Sequence, residues 1–260
     1  GTGQYVVDDQ PNRRGPFTDP ATPHAWLYSP FHKKSEMCAT CHDVSNPVFE
    51  RVSGADYAPG PLDAPADSAG RAKLLPLERT YSEWLHSAYP AGVYAPPFAG
   101  NRPGGVVSQC QDCHMRTVTA RGCNDVSARQ RAVSRLRRAA SVDVTVQSEG
   151  DSARATVQVT NHTGHKLPTG YPEGRRMWLH VVARNAQGQV VYESGAYDST
   201  TGVLTHDGAI RVYEAELGMS RGMATLAGTA HGPSFHFTLN DTLYKDNRIP
   251  PQGFTNAAFA

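Results

Sequence analysis

Two short stretches of the chain combine the residue types that attach a prosthetic group to a protein. The first contains Cys38, Cys41 and His42, and the second contains Cys110, Cys113 and His114. Two cysteines three positions apart lie on one face of a helical turn, so both thiols can form thioether bonds to one haem. The histidine that follows directly is then held under the iron as an axial ligand. The spacing C-x-x-C-H therefore predicts a covalently attached haem c at each stretch.

The alternative for the same cysteines is a zinc site built from the two C-x-x-C pairs. Zinc would explain the four sulfurs but not why a histidine follows each pair. The fifth cysteine, Cys123, has no histidine after it, so we do not expect a third haem there. We expect its thiol to be buried or to pair with a cysteine in another part of the protein.

The composition indicates a folded protein and excludes several kinds of partner. The chain has 260 residues, 39% of them apolar and 19% charged, with a formal net charge of +1. Such a balance suggests no nucleic acid or membrane surface as partner. No stretch approaches the roughly 18 apolar residues of a transmembrane segment. No signal peptide is visible in this chain, but haem is attached covalently outside the cytoplasm, so we expect an exported protein, periplasmic or extracellular.

The elements that must position the motifs divide the chain into three predicted parts. Residues 1–126 form a dihaem region of Pro- and Gly-rich loops with short helices at about 34–42 and 78–88. In such a region the porphyrin faces supply apolar surface that long helices would otherwise provide. Residues 127–140 have helical periodicity and predict a connecting helix. From 141 to 260 the period changes to two, which predicts a β-sandwich, immunoglobulin-like, with a C-terminal tail. The fold class is therefore predicted to be α+β.

Further histidines are needed if both irons have two histidine ligands, and the chain has 11 histidines. His165 lies in a loop, 161–172, whose prolines and glycines can hold a side chain rigidly away from the flanking strands. We predict His165 as a distal ligand. The alternative is a histidine whose ring is satisfied by the backbone of a tight turn. His236 is a weaker candidate, on a strand predicted at 235–239.

Four stretches together resemble one group of bacterial multihaem c-type cytochromes. They are SPFHKKSEMCATCHDVSNP, TYSEW followed by CQDCHM, NHTGHKLPTGYPEGRRMWL and KDNRIPP, and they cover most of residues 24–255. The resemblance implies that the histidine of the G-H-x-x-P-T-G loop, here His165, binds a haem iron from a β-rich domain. It also implies that His32, before the first motif, is a distal ligand, often to a neighbouring haem. Where many such cytochromes have Ser-x-His, this chain has Tyr89.

These observations predict electron transfer through at least two haems, with bis-histidine ligation, within a multihaem chain or assembly. The partners would be other redox proteins or further cytochrome subunits, in a homo- or hetero-oligomer. An alternative is a multihaem oxidoreductase in which one open haem acts on a small inorganic nitrogen or sulfur species. The sequence favours the electron-transfer protein because no catalytic base constellation stands out. The β-rich part would also suit a docking module, a role compatible with electron transfer.

Overall fold

The structure is a computed structural model that describes residues 9–10, 12–61, 63–64, 68–99, 102–115 and 127–256. Cys123 lies outside the described residues. Strands and short helices alternate along the first half of the described chain, and strands dominate the second half. The mixed helix and strand class predicted from the sequence is therefore confirmed.

The strands are mostly short. In chain order they are β1 (Arg13–Gly15), β2 (Trp26–Tyr28), β3 (Val44–Ser53), β4 (Asp56–Pro59), β5 (Leu74–Glu78), β6 (Val93–Tyr94), β7 (Val106–Val107), β8 (Ala140–Glu149), β9 (Ser152–Asn161), β10 (Arg176–Trp178), β11 (Val181–Arg184), β12 (Val190–Ser194), β13 (Tyr197–Asp198), β14 (Val203–Leu204), β15 (Val212–Met219), β16 (Gly232–Pro233) and β17 (Thr242–Asp246).

The helices are short as well, apart from one. They are α1 (Glu36–Ala39), α2 (Thr80–Leu85), α3 (Pro96–Ala99), α4 (Cys110–His114), α5 (Ser127–Arg138) and α6 (Arg221–Ala227), with 3-10 turns at Pro30–Lys33, Ser68–Lys73, Tyr89–Ala91 and Pro103–Gly105. The prediction of a helix over 127–140 is confirmed by α5. In the part of the chain that the structure describes, no helix is both long enough and apolar enough to cross a membrane.

One sheet joins strands from the first and second halves of the described chain. Its strand order is β10-β15-β17-β4-β3-β5, and β16 pairs with the C-terminal end of β15. Strands from 44–78 and strands from 176–246 thus share one antiparallel hydrogen-bond network. The division at residues 126 and 141 stays a prediction, as does the immunoglobulin-like sandwich, and this sheet connects the predicted dihaem region to the predicted β-rich region.

Strands β3, β4 and β5 lie where the sequence predicts only Pro- and Gly-rich loops between two short helices. Pro47, within β3, has no N–H to donate to a sheet ladder. The structure accommodates Pro47 where the register between β3 and β5 shifts, between Asn46 and Glu50. At this irregularity the Asn46 side chain accepts a hydrogen bond from the Val48 backbone N–H, at 3.0 Å. The strand therefore continues past the proline.

The buried apolar side chains form two small clusters. One lies on the large sheet and contains Val44, Phe49, Tyr57, Leu75, Leu77 and Leu217. The other surrounds α2 and α3 and contains Trp84, Tyr89, Val93, Phe98, Ala99 and Val107. Cys110 and Cys113 pack against this second cluster. Each cluster therefore adjoins one C-x-x-C-H motif, since β3 begins two residues after His42.

The period-two segment after residue 140 begins with a long hairpin. Strands β8 and β9 pair from Ala140 opposite Asn161 to Glu149 opposite Ser152. This confirms the strands predicted there. The prediction of a strand at 235–239 is wrong. That segment is a turn in which the His236 carbonyl accepts the N–H of Leu239 at 2.8 Å.

Candidate haem sites

The two C-x-x-C-H motifs lie side by side, joined by one buried serine. Ser35, which is fully buried, donates its backbone N–H and its hydroxyl to the Gln109 side-chain oxygen, at 2.8 and 2.9 Å. The Cys110 backbone N–H in turn donates to the Ser35 hydroxyl oxygen at 3.0 Å. The residue that precedes α1 is thus hydrogen-bonded to the first residue of α4. Segments about 75 positions apart are fixed against each other by side chains at their helix starts.

The first cysteines of the two motifs are in contact. The Cys38 thiol hydrogen-bonds to Cys110, which raises the pKa of Cys38 and lowers the pKa of Cys110 to about 7. All four motif cysteines have free thiols. Thioether attachment needs such free sulfurs, and here two of them are neighbours. Within the described residues, no group of three or more His, Cys, Asp or Glu side chains is arranged to hold a metal ion.

The second motif is a complete helical turn fixed by a buried carboxylate. Asp112 accepts hydrogen bonds from the backbone N–H groups of Ser108 and Gln109, at 2.9 and 3.0 Å. Its carboxylate also forms an ion pair with Arg102. A carboxylate that binds the free N–H groups at a helix start stabilises that helix. Both cysteines and the histidine of α4 are therefore held on one rigid turn.

His114 faces His165, although the two residues are 51 positions apart in the sequence. Their ring centroids are 6.3 Å apart, with an angle of 31° between the ring planes. Two imidazoles that bind one metal from opposite sides, with metal–nitrogen bonds of about 2 Å, have centroids roughly 6 Å apart. Burial, reinforced by the charges of His165 and Arg135, lowers the pKa of His114 to about 4. Burial is also the main cause of the lowered pKa of His165. Neutral imidazole is the form that binds a metal.

The orientation of His165 is set by its own loop. The ring Nδ1 lies 3.2 Å from the Lys166 carbonyl oxygen and 3.3 Å from the Thr163 hydroxyl. The Asn161 amide donates to the His165 carbonyl at 2.8 Å and also accepts from Thr163. Partners on one imidazole nitrogen fix the ring and leave the other nitrogen for a metal. The alternative, a histidine satisfied by a tight turn, accounts for the partners of Nδ1 but not for the facing His114 ring.

A buried network of charges anchors this loop. Glu83, which is fully buried, pairs with Arg248 at 2.9 Å and accepts the Lys166 backbone N–H at 3.0 Å and the Thr169 hydroxyl at 2.8 Å. The Lys166 ammonium pairs with Asp246 at 2.8 Å, and Asp246 pairs with Arg248 at 2.8 Å. The network joins α2, the loop and the segment after β17. Lys166 is thereby paired with a carboxylate of this chain.

Tyr89 is buried and packs beneath the loop that carries His165. Its hydroxyl donates to the His162 carbonyl at 2.8 Å, and burial raises its pKa to about 12. Gly164 rests on Tyr89 and Trp84, where a Cβ would come within 3.1 Å of the Trp84 ring. The tyrosine thus supports the loop that carries His165. The sequence left this residue unexplained.

His42 has a different partner. Its Nδ1 lies 2.8 Å from a carboxylate oxygen of Glu78, the last residue of β5. The His42 side chain is 60% exposed, whereas the Glu78 side chain is 8% exposed. Within the described ranges, no ring contact joins His42 to a second histidine. Sequence reasoning missed Glu78, and no local motif marks it, because 36 positions separate it from His42.

His32 lies beside the second motif. The Gln111 side chain donates to the carbonyl oxygens of His32 and Lys34, at 3.2 and 2.7 Å. The His32 ring is next to Phe31, and its Nδ1 is buried with no hydrogen-bond partner among the described residues. His32 makes no ring contact with His42 or His114 in that part of the chain. Its assignment as a distal ligand stays a prediction.

Comparison with known proteins adds one weak similarity. No family model matches the sequence, and no curated protein matches it. Among solved structures, the chain is similar to a penta-heme cytochrome c552 from Thermochromatium tepidum, with 19% sequence identity and a TM-score of 0.48. The similarity covers 88% of this chain but only 44% of that protein. We therefore base the function on the residues of the two motifs.

Proposed function

We propose that this chain carries two covalently bound haems c and transfers electrons through them. Cys38 and Cys41 would hold the first haem, and Cys110 and Cys113 the second. His42 and His114 would be the proximal ligands. The haem iron supplies the redox chemistry, and the chain supplies attachment, axial ligands and the polarity of the surroundings.

The observation that carries this proposal is the spacing of His114 and His165. Centroids 6.3 Å apart suit two imidazoles on opposite sides of one metal. An iron with both axial positions filled by histidine has no position left for a substrate. Such an iron changes only its oxidation state, which is the property of an electron carrier.

The contact between the motifs supports transfer between two haems in the same chain. Because the Cys38 thiol hydrogen-bonds to Cys110, the two attachment points are neighbours. Two haems bonded to neighbouring sulfurs would lie close to each other. We propose that the electrons come from, and pass to, other redox proteins or further cytochrome subunits in the periplasm or outside the cell. The chain would then be one link of a multihaem assembly, with His32 able to serve a neighbouring haem.

A second candidate function rests on the difference between the two histidines. Because His42 has no ring contact with a second histidine among the described residues, the iron of the first haem would have an open or exchangeable position. An open iron is a place for catalysis. The chain would then be an oxidoreductase for a small inorganic nitrogen or sulfur species.

The absorption spectrum of the reduced protein, before and after adding carbon monoxide, separates these functions. Two haems with sharp c-type α-bands that carbon monoxide does not change would support electron transfer. A Soret shift that accounts for one haem would favour the oxidoreductase, with the open position on the first haem, opposite His42. Absence of any haem band after export in a host that attaches haem c would refute both functions.

A further inference from the structure

His42, the histidine of the first motif, is in hydrogen-bond contact with a buried carboxylate. The Glu78 carboxylate oxygen lies 2.8 Å from Nδ1 of His42. The carboxylate contacts Nδ1 and not Nε2 of His42, whose side chain is largely exposed. Glu78 itself is almost fully buried. The contact therefore fixes which imidazole nitrogen faces the protein. It belongs to the histidine that C-x-x-C-H places under an iron.

The backbone around Glu78 holds the carboxylate in place. Glu78 pairs with Val44 in the ladder between β5 and β3, and Val44 follows His42 by two residues. Leu77, on one side of Glu78, is buried in the cluster on the large sheet. Glu78 is thus the last residue of β5, and His42 lies in the bend two residues before β3 begins. A buried charge is screened less by water and salt than a surface charge, so its influence on a nearby group is larger.

A carboxylate at Nδ1 changes how strongly the other ring nitrogen, Nε2, binds a metal. It accepts the Nδ1–H hydrogen bond and makes the imidazole a stronger donor to a metal. It also adds a negative charge near the iron. Both effects favour the ferric over the ferrous state and lower the reduction potential.

The second motif has no such contact. Among the described residues, no carboxylate is hydrogen-bonded to the ring of His114, which faces the His165 imidazole instead. The two sites thus differ in what contacts the histidine of the motif, a buried carboxylate at His42 and a second imidazole at His114.

We propose that Glu78 is a positioning residue for His42 that holds the reduction potential of the first haem below that of the second. One electron then passes downhill from the ferrous iron of the first haem to the ferric iron of the second. The first iron is oxidised and the second is reduced, and no proton or further reactant is needed. This inference rests on the proposed function, because it requires a haem at each motif.

The test is a spectroelectrochemical titration of the holoprotein and of Glu78→Gln. The glutamine keeps the shape of the side chain but removes the charge and weakens the hydrogen bond. We expect the lower-potential wave, that of the first haem, to move to a higher midpoint potential by at least about 59 mV. For one electron this is a tenfold change in the equilibrium constant. Glu36→Gln is the matched control, since Glu36 is an exposed carboxylate two residues before Cys38. It removes the same charge from the surface and should shift the wave by much less than tenfold.

A second variant assigns the waves. His165→Met should raise the higher-potential wave, because methionine in place of an axial histidine raises the potential. If Glu78→Gln attaches haem poorly, Glu78→Asp should move the lower wave in the same direction by a smaller amount, since it keeps the charge but is shorter. A lower wave that stays in place in both Glu78 variants, or one wave that moves in both the Glu78 and His165 variants, overturns the inference. In either case a spectrum with two c-type haems leaves the proposed function standing.

Discussion

The two motifs share one spacing but differ in what surrounds the histidine. In the second motif the whole C-x-x-C-H sequence lies in α4, its cysteines pack on an apolar cluster, and His114 faces His165. In the first motif α1 ends before Cys41, and the largely exposed His42 is bonded to the buried Glu78. His114 thus faces a second imidazole, whereas Nδ1 of His42 contacts a carboxylate.

This comparison shows which properties the motif determines and which it does not. Two thiols and a histidine at fixed spacing determine where a haem is bonded and which histidine lies beneath it. The facing imidazole and the nearby carboxylate come from other parts of the chain, and these would tune a bound iron. Two identical motifs in one chain are therefore expected to have different properties. The following changes test that difference.

The largest effect is expected from removing one attachment site. The double variant Cys110→Ala/Cys113→Ala should lose one of two haems and retain the first, because thioether bonds hold each haem to its own pair. Intact mass and the pyridine haemochrome spectrum measure the loss. Cys123→Ala is the control, and its haem content should equal that of the parent. A double variant that still carries two covalent haems would contradict the assignment of the second motif.

The next effect is a change of spin state at the second haem. His165→Ala should convert one of two haems from low spin to high spin and make it bind carbon monoxide, because His114 would be left as its only histidine ligand. Electron paramagnetic resonance and the carbon monoxide difference spectrum report both changes. His162→Ala is a matched control in the same loop, since the exposed His162 ring bonds only to the Ser141 hydroxyl in the described contacts. An unchanged spin state in His165→Ala would remove His165 from the ligands.

Local patterns in the sequence point to part of the candidate site, and these assignments stay predictions. The motif cysteines and histidines followed from spacing, and His165 followed from a loop rich in proline and glycine and from a resemblance. Helix α5 and the hairpin β8–β9 followed from periodicity, which depends on near neighbours.

The partners that are distant in sequence were not predicted. Glu78 and Glu83 look like ordinary charged residues, and only the sheet and α2 bring them to His42 and to the His165 loop. The strand β3 was missed because an irregular register accommodates Pro47, which no local pattern shows. The segment 235–239 has the residues of a strand but forms a turn, since tertiary context overrides β propensity.

The buried network should stabilise the second site more than any surface ion pair does. Arg248→Met leaves Glu83 buried without its ion-pair partner, and the free energy of unfolding should fall by about 3–5 kcal/mol. Urea denaturation followed by circular dichroism measures this. Arg154→Ala is the control, because Arg154 and Glu149 pair at the surface with 67% and 48% exposure, and its loss should cost below about 1 kcal/mol. Equal losses in the two variants would show that the network does not anchor the loop.

The smallest effect is a dependence of stability on pH that arises at the same network. Burial favours the neutral form of Asp246, but hydrogen bonds and charges from Arg248 and Lys166 outweigh it and lower the pKa to about 2. Because this folded-state pKa lies below the unfolded value of about 3.9, the stabilisation is complete above about pH 4 and is lost as the pH falls toward 2. It should amount to about 2–3 kcal/mol. In urea denaturation at pH 2–6, Asp246→Asn should be less stable than the parent at pH 6 and should lose less stability on acidification. Parallel curves would assign the acid sensitivity to other carboxylates.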